Sequence, residues 1–66
     1  MSANNYIRIK KVINKGSPRF IVEDMDADTN KPHCKVGARG DLEAAVAAAN
    51  EYMKENEVEY GLNIQL

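Results

Sequence analysis

The sequence predicts one small α+β domain in which a three-stranded antiparallel meander packs on a single helix and a fourth strand follows at the C-terminus. Three observations predict this β-β-β-α-β order. Apolar residues alternate with period two in the first half of the chain, recur with helical period from residue 42 to about 56, and alternate again from residue 58 onward. A chain of 66 residues fits a single domain, with residues 1–5 expected to be disordered.

The first strand is predicted over Tyr6–Ile13. Ile7 and Ile9 fall on one face of this segment, and β-branched residues favour a strand. The pair Lys10-Lys11 interrupts the alternation, which predicts a bulge or a frayed end at that point.

Two further strands are predicted before the helix. A turn over residues 14–18 contains Gly16 and Pro18, and Pro18 argues against a central-strand position. Strands are then expected over Arg19–Met25 and His33–Ala38, separated by a polar loop. Cys34 is expected to point inward, together with the apolar residues of the other strands.

The helix is the strongest local prediction. An apolar stripe of six residues recurs at helical spacing: Leu42, Ala45, Val46, Ala49, Tyr52 and Met53. Five alanines favour the helical backbone, and Asp41 is placed to cap its N-terminus. We therefore predict a helix from Leu42 to about Asn56.

The C-terminal strand is predicted over Val58–Leu66 because its residues alternate strictly. Its large apolar side chains form a candidate strand-pairing or dimer edge: Tyr60, Leu62, Ile64 and Leu66. A helix crossover joins parallel strands, so this strand is expected to lie parallel to the first or the third strand of its own sheet. The alternative is that it pairs with another chain, as a domain swap or as an added strand.

The charge of the chain is unevenly distributed. Residues 1–22 carry five cationic side chains and no acid, whereas residues 41–66 carry six acids and one lysine, although the net charge is only −1. The face of the meander away from the helix is a candidate nucleic-acid or partner face. It is predicted to contain one acid, Glu23, together with seven other residues: Tyr6, Arg8, Lys10, Arg19, Ile21, His33 and Lys35. Such a face can contact phosphates, and an ordinary solvated sheet face is the simpler interpretation.

A three-stranded sheet backed by one helix is similar in outline to the sheet-reading DNA-binding domains of plant transcription factors and of integrase N-termini. The similarity spans residues 6–56 and rests on no shared motif, so it implies nucleic-acid binding only by analogy of fold. The trailing strand and the acidic helix depart from that pattern.

The sequence offers no constellation for catalysis, a metal or a cofactor. There is one histidine and one cysteine, which are too few for a zinc site or an intramolecular disulfide. His33 and Cys34 are adjacent on a predicted strand and therefore point to opposite faces, so they do not form a nucleophile and base. A lone thiol and the lack of a long apolar segment favour a cytoplasmic protein with no membrane partner.

These observations lead to a functional expectation. The leading hypothesis is a non-enzymatic interaction module that binds a protein partner, in the manner of small bacterial or phage regulators or inhibitors, with self-association through the last strand left open. The alternative is a small nucleic-acid-binding protein, a DNA-binding protein in particular, that uses the basic sheet face.

Overall fold

The computed structural model describes residues 4–66 and confirms the predicted α+β architecture. Four strands and one helix follow in the order β1 (Asn5–Asn14), β2 (Ser17–Asp26), β3 (Pro32–Arg39), α1 (Leu42–Glu55) and β4 (Leu62–Gln65). The strands form one sheet in the order β3-β2-β1-β4, and the molecule measures 42 × 23 × 16 Å. Residues 1–3 of the segment expected to be disordered lie outside the described residues, whereas Asn5 is buried and begins β1.

The β1–β2 hairpin is paired without interruption from Asn5 opposite Asp26 to Asn14 opposite Ser17. The prediction of a bulge or a frayed end at Lys10-Lys11 was therefore wrong. The apolar alternation ends there for another reason: from residue 11 onward both faces of β1 are exposed, so burial no longer selects apolar side chains on one face.

A two-residue turn closes this hairpin. Lys15 and Gly16 both have positive φ angles, 52° and 80°, which is the geometry that matches the right-handed twist of paired strands. Pro18 lies inside β2, but pairing between β2 and β3 begins only at Phe20. At Pro18 the strand is consequently an edge, where a missing N–H leaves no hydrogen bond unmade.

The third strand departs from regular pairing at two places. The register between β2 and β3 shifts between Val22 and Glu23 and again between Asp24 and Met25. Val36 and His33 are the residues of β3 left without a direct partner. The first shift lets Val36 pack against the core beside Gly37, which sits opposite the buried Val22.

The helix begins and ends almost as predicted. The Asp41 carboxylate accepts a hydrogen bond of 2.7 Å from the Ala44 amide, which satisfies one of the free N–H groups of the first turn. Ala45 and Ala49 are fully buried, so the helix backbone approaches the sheet closely. The core cluster between helix and sheet consists of six buried residues: Ile7, Ile9, Phe20, Val22, Ala45 and Ala49. Met25 is also fully buried.

The fourth strand runs parallel to β1, with Leu62 opposite Ile7 and Ile64 opposite Ile9. One of the two positions predicted for it, beside the first strand, is thus confirmed. Its predicted start at Val58 was wrong, because Gly61 takes a φ of 76° and the chain enters the strand only at Leu62. Val58 instead packs against the core from the preceding loop.

A buried polar cluster joins the elements at the end of the sheet where β1 begins. Asp24 is 7% exposed, and its carboxylate accepts hydrogen bonds from the Asn5 amide at 2.9 Å and from the Tyr52 hydroxyl at 2.6 Å. Asn5 also donates to the Glu57 carbonyl and accepts from the Glu59 amide. This cluster therefore connects β1, β2, the end of α1 and the loop that leads into β4.

The cluster predicts an alkaline limit to stability. The hydrogen bond that the Tyr52 hydroxyl donates to Asp24, together with burial, raises the pKa of Tyr52 well above the ordinary value of 10.0. Because the pKa is raised in the folded state, the hydrogen bond of the protonated Tyr52 stabilises the fold fully below about pH 10. This stabilisation is lost as the pH rises through the raised pKa. We expect Tyr52→Phe to lower the free energy of unfolding by about 2 kcal/mol at pH 7, with wild type and variant converging in strong alkali.

Urea unfolding at a series of pH values measures this difference. Tyr60→Phe is the matched control because Tyr60 is 62% exposed, and we expect it to change stability by less than about 0.5 kcal/mol. Equal stability of wild type and Tyr52→Phe at neutral pH would contradict the structural role of the hydrogen bond.

Candidate interaction surface

The exposed large apolar side chains lie along one edge of the sheet. Among the described residues there are five: Val12, Ile13, Tyr60, Ile64 and Leu66. All five belong to β4, its flanking residues, or the part of β1 that extends beyond β4. We call these five residues the apolar edge. Ile13 and Ile64 lie on the helix side of the sheet, whereas Val12 lies on the opposite face. Exposed apolar side chains concentrated along one sheet edge of a small domain are typical of an interaction site.

The two edges of the sheet are built differently. β3 carries features that discourage strand addition, namely Pro32, Lys35, Arg39 and two shifts of register. The sequence of β4 is Leu-Asn-Ile-Gln, with no charge and no proline, and its pairing with β1 is regular. Of the two edges, β4 is therefore the one open to a further strand.

The backbone of β4 has groups available for that strand. The Ile7 amide donates to the Gly61 carbonyl at 2.8 Å, which fixes the phase of the parallel ladder with β1. Alternate residues of a strand direct their N–H and C=O groups to opposite edges of that strand. The backbone N–H and C=O groups of Asn63 and Gln65 therefore point toward β1. Leu62 and Ile64 direct theirs away from the sheet.

An open cleft of about 490 Å³ borders β4. Tyr6 and Tyr60 contribute aromatic side chains to it, and four residues of β4 line the rest of it with Asn30: Leu62, Asn63, Ile64 and Gln65. The Tyr6 hydroxyl donates to the Asn30 side-chain oxygen at 3.0 Å, so the β2–β3 loop fixes the Tyr6 ring. The apolar edge is thus continuous with a partly aromatic depression.

The hairpin beyond the helix forms a basic projection. Residues 11–19, which we call the basic arm, are all exposed and carry Lys11, Lys15 and Arg19 with no acid. The opposite end of the molecule is acidic, because Glu57 and Glu59 border Asn5, and Asp26 pairs with Asn5 across the hairpin. The uneven charge of the sequence consequently becomes a separation of charge along the long axis.

Most residues of the predicted basic face do share one face of the sheet. The register places Arg8 opposite Glu23 and Glu23 opposite Lys35, and it pairs Lys10 with Ile21, Tyr6 with Met25 and Val12 with Arg19. His33 does not join them: it lies at a register shift, and its Nε2 is 3.7 Å from an Asp26 carboxylate oxygen. Asp26 belongs to the same alternating set of β2 residues as Asp24, which the helix covers through Tyr52.

Glu23 changes the chemistry of this face. Its carboxylate lies 2.7 Å from an Arg8 guanidinium nitrogen and 3.5 Å from Lys10 Nζ, and the carboxylate side chain is only 11% exposed. Burial by itself raises the pKa of Glu23, but the Arg8 hydrogen bond and the charges of Lys10 and Arg8 lower it below 4.5 overall. Arg8 is therefore engaged within the protein, and Lys10 is partly neutralised.

The sequence interpretation missed the basic arm and two of the five residues of the apolar edge. Val12 and Ile13 were assigned to an ordinary strand, although they are 39% and 61% exposed. A usable signal was present in the sequence: the break in alternation at Lys10-Lys11, followed by apolar residues on both faces and a cationic turn, marks a hairpin that leaves the core.

Comparison of the chain with protein-family models, with curated proteins and with solved structures gave no match. Within residues 4–66, no three or more His, Cys, Asp or Glu side chains are grouped so that they could hold a metal ion. In the same part of the chain, no helix has the length and hydropathy needed to cross a membrane. Cys34, which was expected to point inward, is instead exposed, with its Sγ 3.9 Å from the Tyr52 hydroxyl.

The Glu23 ion pairs predict an acid limit to stability. A lowered pKa means that the ion pairs stabilise the fold above about pH 4.5, and that this stabilisation is lost as the pH falls through the lowered pKa. We expect Glu23→Gln to lower the free energy of unfolding by about 1–2 kcal/mol at pH 7 and by progressively less in acid.

Urea denaturation at pH 7 and in acid measures both values. Glu51→Gln is the matched control because Glu51 is an exposed helix residue, and its effect should stay within about 0.5 kcal/mol. A difference between wild type and Glu23→Gln that stays constant into acid would contradict the ionic origin of the effect.

Proposed function

We propose that the protein is a non-enzymatic interaction module that binds a partner protein by accepting an extended strand of the partner beside β4. The observation that carries the proposal is that the five exposed large apolar side chains found within residues 4–66 all lie along this one edge. Strand addition uses backbone hydrogen bonds for affinity and alternate side chains for selectivity. The proposed role is that of a regulator or inhibitor, which requires that the partner edge covered by the module be one that the partner uses.

The chemistry of the surface defines the partner strand. Its residues on the helix side of the sheet are apolar, because they meet Ile64 and Leu66. Where it passes the basic arm it carries acids, since Lys11, Lys15 and Arg19 have no acid near them in sequence. An apolar centre bordered by complementary charge is the usual anatomy of a protein interface.

The compartment proposed is the cytoplasm. Cys34 is an exposed lone thiol. In an oxidising compartment such a thiol is prone to form intermolecular disulfides, so a reducing environment suits the chain better.

Site-specific photo-crosslinking tests the proposed surface. A benzophenone side chain is placed at Leu66 on the apolar edge, or at the exposed helix position Ala47 as a control, and each protein is irradiated in nuclease-treated lysate. We expect a distinct protein adduct from position 66 only, and the adduct is identified by mass spectrometry. Equal labelling from both positions would count against the edge.

The identified partner is then purified and titrated with two variants of equal charge change. We expect Ile64→Asp to weaken binding at least about tenfold, because a carboxylate would be buried at the centre of the interface. Ala47→Asp on the exposed helix surface should bind like wild type, and circular dichroism checks that both variants keep the helix. Unchanged affinity of Ile64→Asp would overturn the proposal.

Nucleic-acid binding is a second candidate function, favoured by the basic arm rather than by the open sheet face. The register places Lys10 and Arg19 on the face away from the helix and Lys11 on the opposite face. Cations on both faces of a two-stranded ribbon suit a groove that has phosphates on both walls, and the major groove of DNA admits such a ribbon. Arg8, by contrast, is held by Glu23.

Retention on double-stranded DNA at increasing salt tests this candidate. We expect Lys11→Glu/Lys15→Glu to abolish retention, whereas Lys31→Glu/Lys35→Glu, which changes the net charge equally but lies outside the arm, should leave it largely intact. Equal losses in both variants, or no retention of wild type at low salt, would eliminate the arm as a nucleic-acid site.

A further inference from the structure

We infer that the strand received beside β4 is the β4 of a second copy of this chain, paired antiparallel about a two-fold axis with Ile64 opposite its own symmetry mate. The inference rests on the proposed function, because it names the occupant of the apolar edge. The result would be a continuous eight-stranded sheet with both helices on the same face. A self-complementary patch of this kind is the basis of a closed homodimer.

The backbone phase limits the pairing to a few registers. Leu62 and Ile64 direct their N–H and C=O groups outward, as described above, and the alternation extends to Leu66. In an antiparallel pair, two residues exchange hydrogen bonds only when both face the partner strand. The register centred on Ile64 satisfies this rule for every outward residue, since Leu62 then lies opposite Leu66 of the second copy.

Side-chain chemistry favours this register. Leu62 and Ile64 lie on the helix side of the sheet, because they pair with the buried Ile7 and Ile9, and Leu66 follows by alternation. The pairing therefore brings only apolar side chains together on that side, and it covers Ile64 and Leu66, which are 43% and 73% exposed. On the other side Asn63 lies opposite Gln65, and two amides can hydrogen-bond to each other.

The separation of charge also fits this arrangement. Since β4 is parallel to β1, antiparallel pairing of two β4 strands places the two long axes in opposite directions. Ile64 is level with Ile9, so Asn5 of the second copy comes level with Ile13 of the first. The acidic Glu57 and Glu59, which border Asn5, then lie alongside the basic arm of the other copy.

Disulfide trapping tests the register. Single cysteines are introduced in a Cys34→Ser background as Ile64→Cys or Asn63→Cys, and the proteins are equilibrated in a glutathione redox buffer. In the proposed dimer the two Cα atoms at position 64 are about 5.5 Å apart, within the range of about 4.4–6.8 Å that a disulfide spans. The two Cα atoms at position 63 are offset by two residues, about 7–8 Å apart, and fit poorly.

We expect Ile64→Cys to form a covalent dimer at least about tenfold more readily than Asn63→Cys. Preferential trapping through position 63 would overturn the register, because it indicates a two-fold axis at Asn63. Trapping through neither position would overturn the pairing itself. A denatured control in urea shows whether the cysteines react with the same preference without the fold.

Sedimentation equilibrium of the unmodified chain provides the second readout. We expect a reversible species of twice the 7.4 kDa chain mass, and we expect Ile64→Pro to weaken its association at least about tenfold. Proline at this position removes an N–H that points outward and leaves the hydrogen bonds to β1 in place. A monomer throughout the concentration range would overturn the inference.

These outcomes separate the inference from the proposed function. A chain that remains monomeric but yields a crosslink to a different protein from position 66 would overturn self-pairing and keep the edge as a binding surface. A chain that is monomeric and yields no crosslink specific to the edge would overturn both.

Discussion

The architecture depends on the buried carboxylate of Asp24. A charge in so small a core is costly unless hydrogen bonds offset its lost hydration, and here Asn5 and Tyr52 both donate to it. Asn5 in turn binds the backbone at Glu57 and Glu59. This one carboxyl group thus sets the relative positions of β1, β2, the helix end and the loop before β4, and so it positions the edge on which the functional proposals rest.

The exposed surfaces follow from a mismatch of lengths. A helix of 14 residues is about 21 Å long, whereas strands of 10 residues extend about 33 Å. The helix begins just after Arg39, which pairs with Phe20, so it covers the sheet from that point toward Asn5. What lies beyond Phe20 has no second layer. The basic arm and its apolar side chains are therefore exposed because the domain has too few elements to cover them.

Much of the fold could be predicted from the sequence because burial on one face produces regular periodicity. The helix, its cap at Asp41 and the antiparallel meander all follow from such patterns. The start of β4 could not be predicted, since Val58 fits both the alternation of a strand and the packing of a loop. The shifts of register in β3, and with them the position of His33, depend on contacts between strands that no single segment encodes.

The candidate surfaces were predictable only in part. Tyr60, Ile64 and Leu66 were recognisable because they are apolar and follow the helix, and the structure places them beside the exposed end of β1. The ion pair between Arg8 and Glu23 depends on the register between strands. The sequence alone therefore suggested more cationic side chains available to a partner than the fold contains.

The parallel pairing of β4 has a kinetic consequence. Ile7 and Leu62 are more than fifty residues apart in the chain, so β4 joins the sheet only after a long loop has closed, whereas the β1–β2 hairpin forms from near neighbours. Until β4 joins the sheet, the side of β1 that it occupies stays vacant. At high chain density that vacancy can receive the last strand of a neighbouring molecule, so refolding yield should fall with protein concentration.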